Sequence, residues 1–519
     1  MSAGQAFVGI DAGTTGCTVM IFDESGNRLG QGYQEYPCTS PRPGWIEQDV
    51  EEVWRGICEA TKQAMAAAAL PDSAYKSVGF SSQRGTFILL DEDKNPIAPS
   101  IVWNDGRALA YQEKFGKEIS PDDYHTHTGM QLSPLWSAAK IAWLRDNEPE
   151  LFRQTRWFAN GQEYFLHRLG AHDWITDPAS LTLNGMLDIE KLDWSDRVLA
   201  MCGIDRDRVP PVGIPSGQAG EVSAAAHYAT GLPTGLPVCR GAGDQQCAAI
   251  GAGVVAQGMA EFTVGTAGVM VAHLDGLDRI QGRNLWWGGH AVPGAWDIEG
   301  GAFALGASLK WWRDNLGRNE QDEADAQGRS VYSVMVDKAR TAPAGSNGLI
   351  YHSFLASQVT PYYDAESKGG WIGLGLSHTR IDMLRALLEG CAFEMRMVVD
   401  AFQSDIVGGI TDLRLTGGGT KSDGFAQLMT DIIGQPTKVT RERECTVFGA
   451  AILGAFGSGA FSSIDEAVGA MVNLEAEFEP NEANRDLYGE LYAAYRGVYE
   501  AIAKGGGYKA LSDFSIRHY

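Results

Sequence analysis

The sequence predicts an α/β protein of at least two domains, and three observations carry that expectation. The chain has 519 residues, more than one ordinary hydrophobic core organises. It opens with three short strand-like segments separated by turn residues, as antiparallel strands would be at the start of an α/β unit. The Gly-Thr turn between the first two, at Gly13–Gly16, is echoed at Gly265–Gly268. One such turn in each half is a weak internal repeat, and two facing each other across a cleft can grip a polyphosphate from both sides.

Composition bounds the function. Hydrophobic residues make up 44% and charged residues 21%, as in soluble globular proteins. The net charge of −23 argues against nucleic acid or an anionic membrane as partner. It leaves an anionic ligand open, because backbone amides can hold phosphate inside an acidic protein. The eight cysteines include no C-x-x-C pair and read as reduced residues of a cytoplasmic protein. No signal peptide and no run of 18 apolar residues is visible, so neither secretion nor membrane spanning is expected.

In chain order, strands are expected at Ala6–Ile10, Cys17–Phe22 and Leu29–Tyr36. Gly13 and Gly16 permit a tight turn, and Thr14 and Thr15 offer hydroxyls and N–H groups to a phosphate. A helix is expected over Val50–Ala68, with Asp49 as its cap. Strands at Ser77–Ser81 and Ile88–Asp91 flank Ser82-Gln-Arg-Gly-Thr-Phe87, where Arg84 faces either a polar ligand or solvent. Trp103-Asn-Asp-Gly-Arg107 is a loop in which Asp105 and Arg107 can pair or cap the next helix. Trp136, before the helix Ser137–Asp146, is a sugar-stacking platform or a core residue. Residues 176–182 read as a turn, and 210–235 as a Pro/Gly-rich connection.

Next comes Pro237-Val-Cys-Arg-Gly-Ala-Gly-Asp-Gln-Gln246, an apolar strand that breaks at Gly241 and Gly243 and runs into a small-residue helix. Asp244 sits at the junction, where helix N-terminal amides favour a carboxylate. It is either a base placed to take a proton from a substrate hydroxyl or an ordinary N-cap. The second Gly-Thr turn follows between two strands in 257–272. A strand from Trp296 meets a glycine break and then a helix, residues 318–340 form a charged helical excursion, and Gly348–Phe354 is a strand. A long helix over Thr379–Ser404 has an apolar stripe through Leu384, Leu388, Cys391 and Met395. Strand Leu413–Thr416 leads into Gly417-Gly-Gly-Thr-Lys-Ser422 and a helix over Asp423–Ile433. That loop fails the P-loop pattern, since Thr420 precedes Lys421, yet its glycines admit a base or ribose. A small-residue helix over Thr446–Phe456 and a polar, aromatic, peripheral helix over 481–503 complete the chain.

These pieces, in this order, resemble the FGGY family of carbohydrate kinases, within the actin/hexokinase/Hsp70-type ATPase superfamily. The resemblance spans roughly residues 6–460 and rests on Asp11-Ala-Gly-Thr-Thr15, Gly243-Asp-Gln-Gln246, Val264-Gly-Thr-Ala-Gly268 and Gly417-Gly-Gly-Thr-Lys-Ser422. Trp45-Ile-Glu-Gln-Asp49, Trp103-Asn-Asp-Gly-Arg107, Arg385-Ala-Leu-Leu-Glu-Gly390 and Phe448-Gly-Ala-Ala451 support it. It implies two ribonuclease-H-like domains with an interdomain cleft, the sugar-binding one over 1–253 and the nucleotide-binding one over 254–519. It implies Asp244 as general base, Gly13, Thr14 and Thr15 as one phosphate turn, and Gly265 and Thr266 as the other. Asp11 is similar to the acidic residue near Mg²⁺-ATP, touching the metal indirectly. Gly306 and Lys310 border the nucleotide, and Gly418, Gly419 and Ser422 match positions near adenosine. Gln83, Arg84, Trp103, Asp105, Trp136 and Gln245 would line the sugar site.

The substrate motifs are mixed. Trp103–Arg107 resembles xylulokinases, whereas Ser82-Gln-Arg-Gly85 and Gly243–Gln246 resemble glycerol kinases. The acidic residue and the tyrosine of glycerol kinases are Gly85 and Leu135 here, the Met-His pair of xylulokinases is Arg84-Gly85, and the usual Gly-Glu-Arg before Thr-Pro is Ser357-Gln358-Val359. A ketopentose is favoured, with glycerol, another polyol or an autoinducer-2-type substrate as alternatives. A non-catalytic sugar or nucleotide sensor on the same fold is the alternative of another class, and loss of Asp244 or of a Gly-Thr turn would favour it. An assembly ATPase would need an appended peptide-binding or polymerisation region, and none is visible. The expected partner is a small sugar or polyol, with ATP and Mg²⁺ as cofactors and a homodimer left open.

Overall fold

The structure is a computed structural model and describes residues 4–518. Strands β1 (Ala6–Ala12), β2 (Gly16–Asp23), β3 (Arg28–Glu35), β4 (Tyr75–Ser82), β5 (Gln218–Glu221) and β6 (Pro237–Gly243) form one sheet in the order β5-β6-β4-β1-β2-β3. β1, β2 and β3 are an antiparallel meander. β4 lies parallel to β1, β6 parallel to β4, and β5 closes the edge antiparallel to β6.

The second sheet repeats this plan. It contains β7 (Met259–Val264), β8 (Gly268–Leu274), β9 (Trp286–Gly289), β10 (Trp296–Ala302), β11 (Asp412–Thr416), β12 (Thr437–Thr440) and β13 (Leu474–Phe478). Their order is β9-β10-β8-β7-β11-β12-β13. The meander β7-β8-β10 matches β1-β2-β3, the parallel strands β11 and β12 match β4 and β6, and β13 matches the antiparallel edge β5. The echo of Gly-Thr turns is thus the visible part of a duplicated topology. Each turn joins the first two strands of its own sheet.

Helices cover these sheets. α1 (Val50–Ala68) has the expected bounds, and Asp49 caps it by accepting from the Glu51 N–H at 2.8 Å. Asp244 opens α2 (Asp244–Gly251), and α3 (Leu305–Asn315) follows β10. α4 (Arg380–Asp405) buries its apolar stripe and begins with a reciprocal Thr379–Asp382 capping box. α5 (Asp423–Ile433) follows the Gly417–Ser422 loop. α6 (Cys445–Gly457) packs against α2 and crosses β1, β4 and β6 of the first sheet, although it lies late in the chain.

Several expectations need correction. Residues 210–235 are more than a connection, for they contain β5 and a helix over Ala224–Thr230. Residues 176–182 include the short helix Pro178–Leu181, capped by Asp177. β6 continues to Gly243, which pairs with Ser82, and β10 runs through Gly300 and Gly301, which pair with Met270 and Val269. Helix α7 (Arg485–Lys504) is not peripheral: Tyr488, Tyr492, Tyr495 and Tyr499 are buried in the second domain's core. The hydroxyls of Tyr488, Tyr492 and Tyr499 reach Glu389, Asp400 and Asp364, so these three rings pack with their polar tips satisfied. All eight cysteines are free thiols; Cys38 alone is exposed. Among the described residues no helix is long and apolar enough to cross a membrane.

Candidate active site

β6 slips register against β4 between Arg240 and Gly243 and then delivers Asp244 as the first residue of α2. The cap position belongs to Gly243, so Asp244 is not an N-cap. Its Oδ1 accepts from the Gln245 N–H at 2.9 Å and from Arg84 Nε at 2.8 Å. Its side chain is 31% exposed, whereas that of Arg84 is 2% exposed. Arg84 leaves the end of β4 and turns its other two nitrogens to Glu299 on β10, at 2.8 and 2.9 Å. Burial alone would lower the guanidinium pKa, but Glu299 and Asp244 outweigh it and the net shift is upward. Two residues before Glu299, Asp297 accepts from Gln246 Nε2 at 2.7 Å. These two contacts tie the first sheet's domain to the second directly behind Asp244.

The first Gly-Thr turn is held from its back. Gly13 N–H donates to Gly16 O at 3.0 Å, and the Tyr36 hydroxyl donates to Gly13 O at 2.7 Å. Thr14 Oγ1 donates to Gln83 Oε1 at 2.9 Å and accepts from the Trp103 indole at 3.0 Å. Gln48 Nε2 reaches Thr14 O at 2.5 Å, and Gln83 Nε2 donates to Gln48 Oε1 at 2.7 Å. Thr15 is left exposed. In the second turn Gly265 N–H donates to Ala267 O, Gly306 N–H to Gly265 O and Ala307 N–H to Thr266 O, at 3.0, 3.0 and 3.1 Å. Thr266 is exposed, as Thr15 is. The start of α3 therefore buttresses this turn.

The other candidate residues are placed as follows. Gly418 opens a short 3₁₀ turn and faces open space; Gly419 packs on Val264 beneath the second Gly-Thr turn; Ser422 precedes α5. Lys310 is exposed on α3 and pairs with Asp314 at 2.7 Å. Gln245 is half-buried, with its Oε1 unpartnered. Trp136 is buried and donates to Gln131 O at 2.6 Å. Asp105 is fully buried and accepts from Ile46 N–H and from the backbone and guanidinium of Arg107, so its carboxylate is engaged in closing its own loop. Glu299, Asp297, Gln246 and Gln48 were not singled out from the sequence. Asp297 and Glu299 carried a signal, two carboxylates on one face of an otherwise apolar strand.

Asp11 sits at the end of β1, with Oδ1 buried and unpartnered. Burial, and then the charge of Asp244, pushes its carboxyl up to about 7. A divalent cation would relieve both penalties. Among the described residues no group of three or more His, Cys, Asp or Glu is arranged to hold a metal. An ion carried in by phosphates would find the Asp11 carboxylate in reach, an arrangement common for Mg²⁺. A pH test follows. The folded Asp11 keeps its proton well above its ordinary value of 3.8, so its contribution to stability is present at low pH and is lost as pH rises towards 7. Asp11→Asn is expected to gain stability relative to wild type between pH 5 and 7, by up to about 1.4 kcal/mol per unit. Denaturant titrations of both proteins check it; a difference constant with pH contradicts it.

Two comparisons settle the lineage. The N-terminal domain of the FGGY family of carbohydrate kinases matches residues 6–251, and its C-terminal domain matches 260–458. The chain belongs to this family. Proteins similar to it include xylulose kinase of Bacillus subtilis, 27% identical over 95% of this chain and 96% of the relative. Glycerol kinase of Bordetella parapertussis is 29% identical over 92% and 94%. In fold it is similar to the crystal structure of gluconate kinase from Lactobacillus acidophilus, with a TM-score of 0.86, 23% identity and coverage of 96% and 98%. The protein is thus an FGGY sugar or polyol kinase with the two-domain ATPase-like fold.

Proposed function

We propose that this kinase phosphorylates a hydroxyl of a ketopentose in the cytoplasm, with ATP as donor, Mg²⁺ as counter-ion and Asp244 as general base. The observation that carries the reading is Asp244 itself, partly exposed at the first position of α2 and oriented by a buried arginine. Its carboxylate would accept the proton of the attacking hydroxyl as that oxygen bonds to the γ-phosphorus of ATP and the bond to the β,γ-bridging oxygen breaks, releasing ADP. Mg²⁺-ATP would supply the phosphoryl group and the charge that balances it. Gly13–Thr15 and Gly265–Thr266 would hold the phosphates, Asp11 would face the metal, and the Gly418–Ser422 segment would take the adenosine. Such chemistry asks for alignment and charge stabilisation more than for covalent help.

The sugar would lie among Gln83, Arg84, Trp103 and Gln245, in the domain that we place over residues 1–253. The ketopentose follows from the Trp103–Arg107 resemblance, and the similarity to xylulose kinases accords with it. A coupled ADP assay across pentuloses, hexuloses, tetritols and glycerol tests this. We expect at least a tenfold higher kcat/KM for one pentulose than for glycerol. Equal or higher efficiency with glycerol would overturn the substrate, and no sugar-stimulated ADP with any of them would overturn the assignment to these acceptors.

A further inference from the structure

Arg84 is the cation bonded to the proposed base, and it is already paired twice. Nε meets Asp244, while Nη1 and Nη2 meet Glu299 in a two-point fork. One positive and two negative groups leave this cluster with a net charge of −1. Arg84 and Glu299 are nearly inaccessible, at 2% and 3% exposure, so solvent screens their pairing little. The stem of Arg84 runs close against Gly243, where a Cβ would stand 2.3 Å from its Cδ. What the guanidinium has left to offer is one N–H on each of Nη1 and Nη2, donors suited to hydroxyl lone pairs.

We infer that Glu299, by occupying Arg84, makes the sugar pocket selective for uncharged polyols and ketoses and hostile to sugar acids. The inference rests on the reading of Asp244 and Arg84 as parts of the sugar site. A sugar carboxylate would have to displace Glu299 or Asp244 from Arg84, leaving a buried charge unpaired, or else accept repulsion from both. Asp297, two residues before Glu299 on β10, has its carboxyl pushed up to about 7 by burial and then by Glu299. The fold does not decide the matter, since it is shared with a protein described as a gluconate kinase. The pairing of Arg84 decides it.

The test compares the best neutral substrate with the aldonate of the same carbon number, by coupled assay and by calorimetric binding. Wild type is expected to disfavour the aldonate by at least 100-fold in kcat/KM and in Kd. Glu299→Gln should narrow that ratio at least tenfold, chiefly through the aldonate KM, and Glu299→Asp, which keeps the charge, should restore most of it. An aldonate within tenfold of the neutral sugar in wild type overturns the inference, as does an unchanged ratio in Glu299→Gln. Failure of the neutral sugar to bind at millimolar concentration overturns it as well. The wild-type binding arm decides the question even if the variants do not fold. Neutral sugars that bind selectively without turnover would sink the phosphoryl-transfer reading and leave the selectivity standing; efficient turnover of an aldonate would do the reverse.

Discussion

Asp244→Asn is expected to lower sugar-dependent ADP formation by about 10²–10⁴-fold, the range that a positioned general base contributes. The substitution is nearly isosteric. The amide oxygen can still accept from Arg84 Nε and Gln245 N–H, the two bonds that Asp244 Oδ1 makes now. Basicity is lost while the pocket keeps its shape. ATP binding should change less than about threefold, because the Gly-Thr turns are held by Tyr36, Gln48, Gln83 and α3 rather than by Asp244. Steady-state kinetics together with nucleotide binding check both halves. Turnover within tenfold of wild type would reject Asp244 as base.

Gly449→Ala carries the second largest expected effect, although it lies away from the base. A Cβ at Gly449 on α6 would stand 1.8 Å from the carbonyl oxygen of Cys247 on α2. The contact is reciprocal, since a Cβ at Gly251 on α2 would stand 2.0 Å from Cys445 O on α6. Ordinary contact needs about 3.4 Å or more, so the two helices must separate by more than 1 Å. Overpacking of this kind costs about 1–3 kcal/mol. α2 begins with Asp244, so the base moves with its helix, and a misplacement of about 1 Å costs on the order of 10²-fold in rate. Gly449→Ala should therefore lose both thermal stability and about 100-fold in kcat. Gly489→Ala is the control, for that site on α7 has nothing within 4 Å and should be neutral or slightly stabilising. Equal behaviour of the two variants would refute the close-packing account.

The legible parts of this chain were local ones. α1 and α5 have the bounds that capping and periodicity suggest, and both Gly-Thr turns join the strands expected to flank them. α7 shows how a local reading misleads. Its tyrosines at 488, 492, 495 and 499 follow a helical stripe, but tyrosine reads as polar until partners for its hydroxyl are known, and the partners of Tyr488, Tyr492 and Tyr499 lie on other segments. The 210–235 stretch failed for a related reason: β5 has only four residues and owes its strand geometry to pairing with β6.

The order of motifs, the two glycine turns and the aspartate at a strand–helix junction were present in the amino-acid sequence alone, and they determined the family and the fold class. Only the tertiary structure decided which charges meet. Arg84 finds Asp244 at 160 positions' remove and Glu299 at 215, and Gln246 finds Asp297 across the same interface. Sequence spacing encodes which face of a strand or helix a side chain occupies, whereas partners across two domains are chosen by how the sheets are brought together. Asp105 makes the contrast plain. Its loop suggested a ligand contact or a local pair, and in the fold its carboxylate closes onto Arg107 and the Ile46 N–H because burial leaves no water to satisfy it.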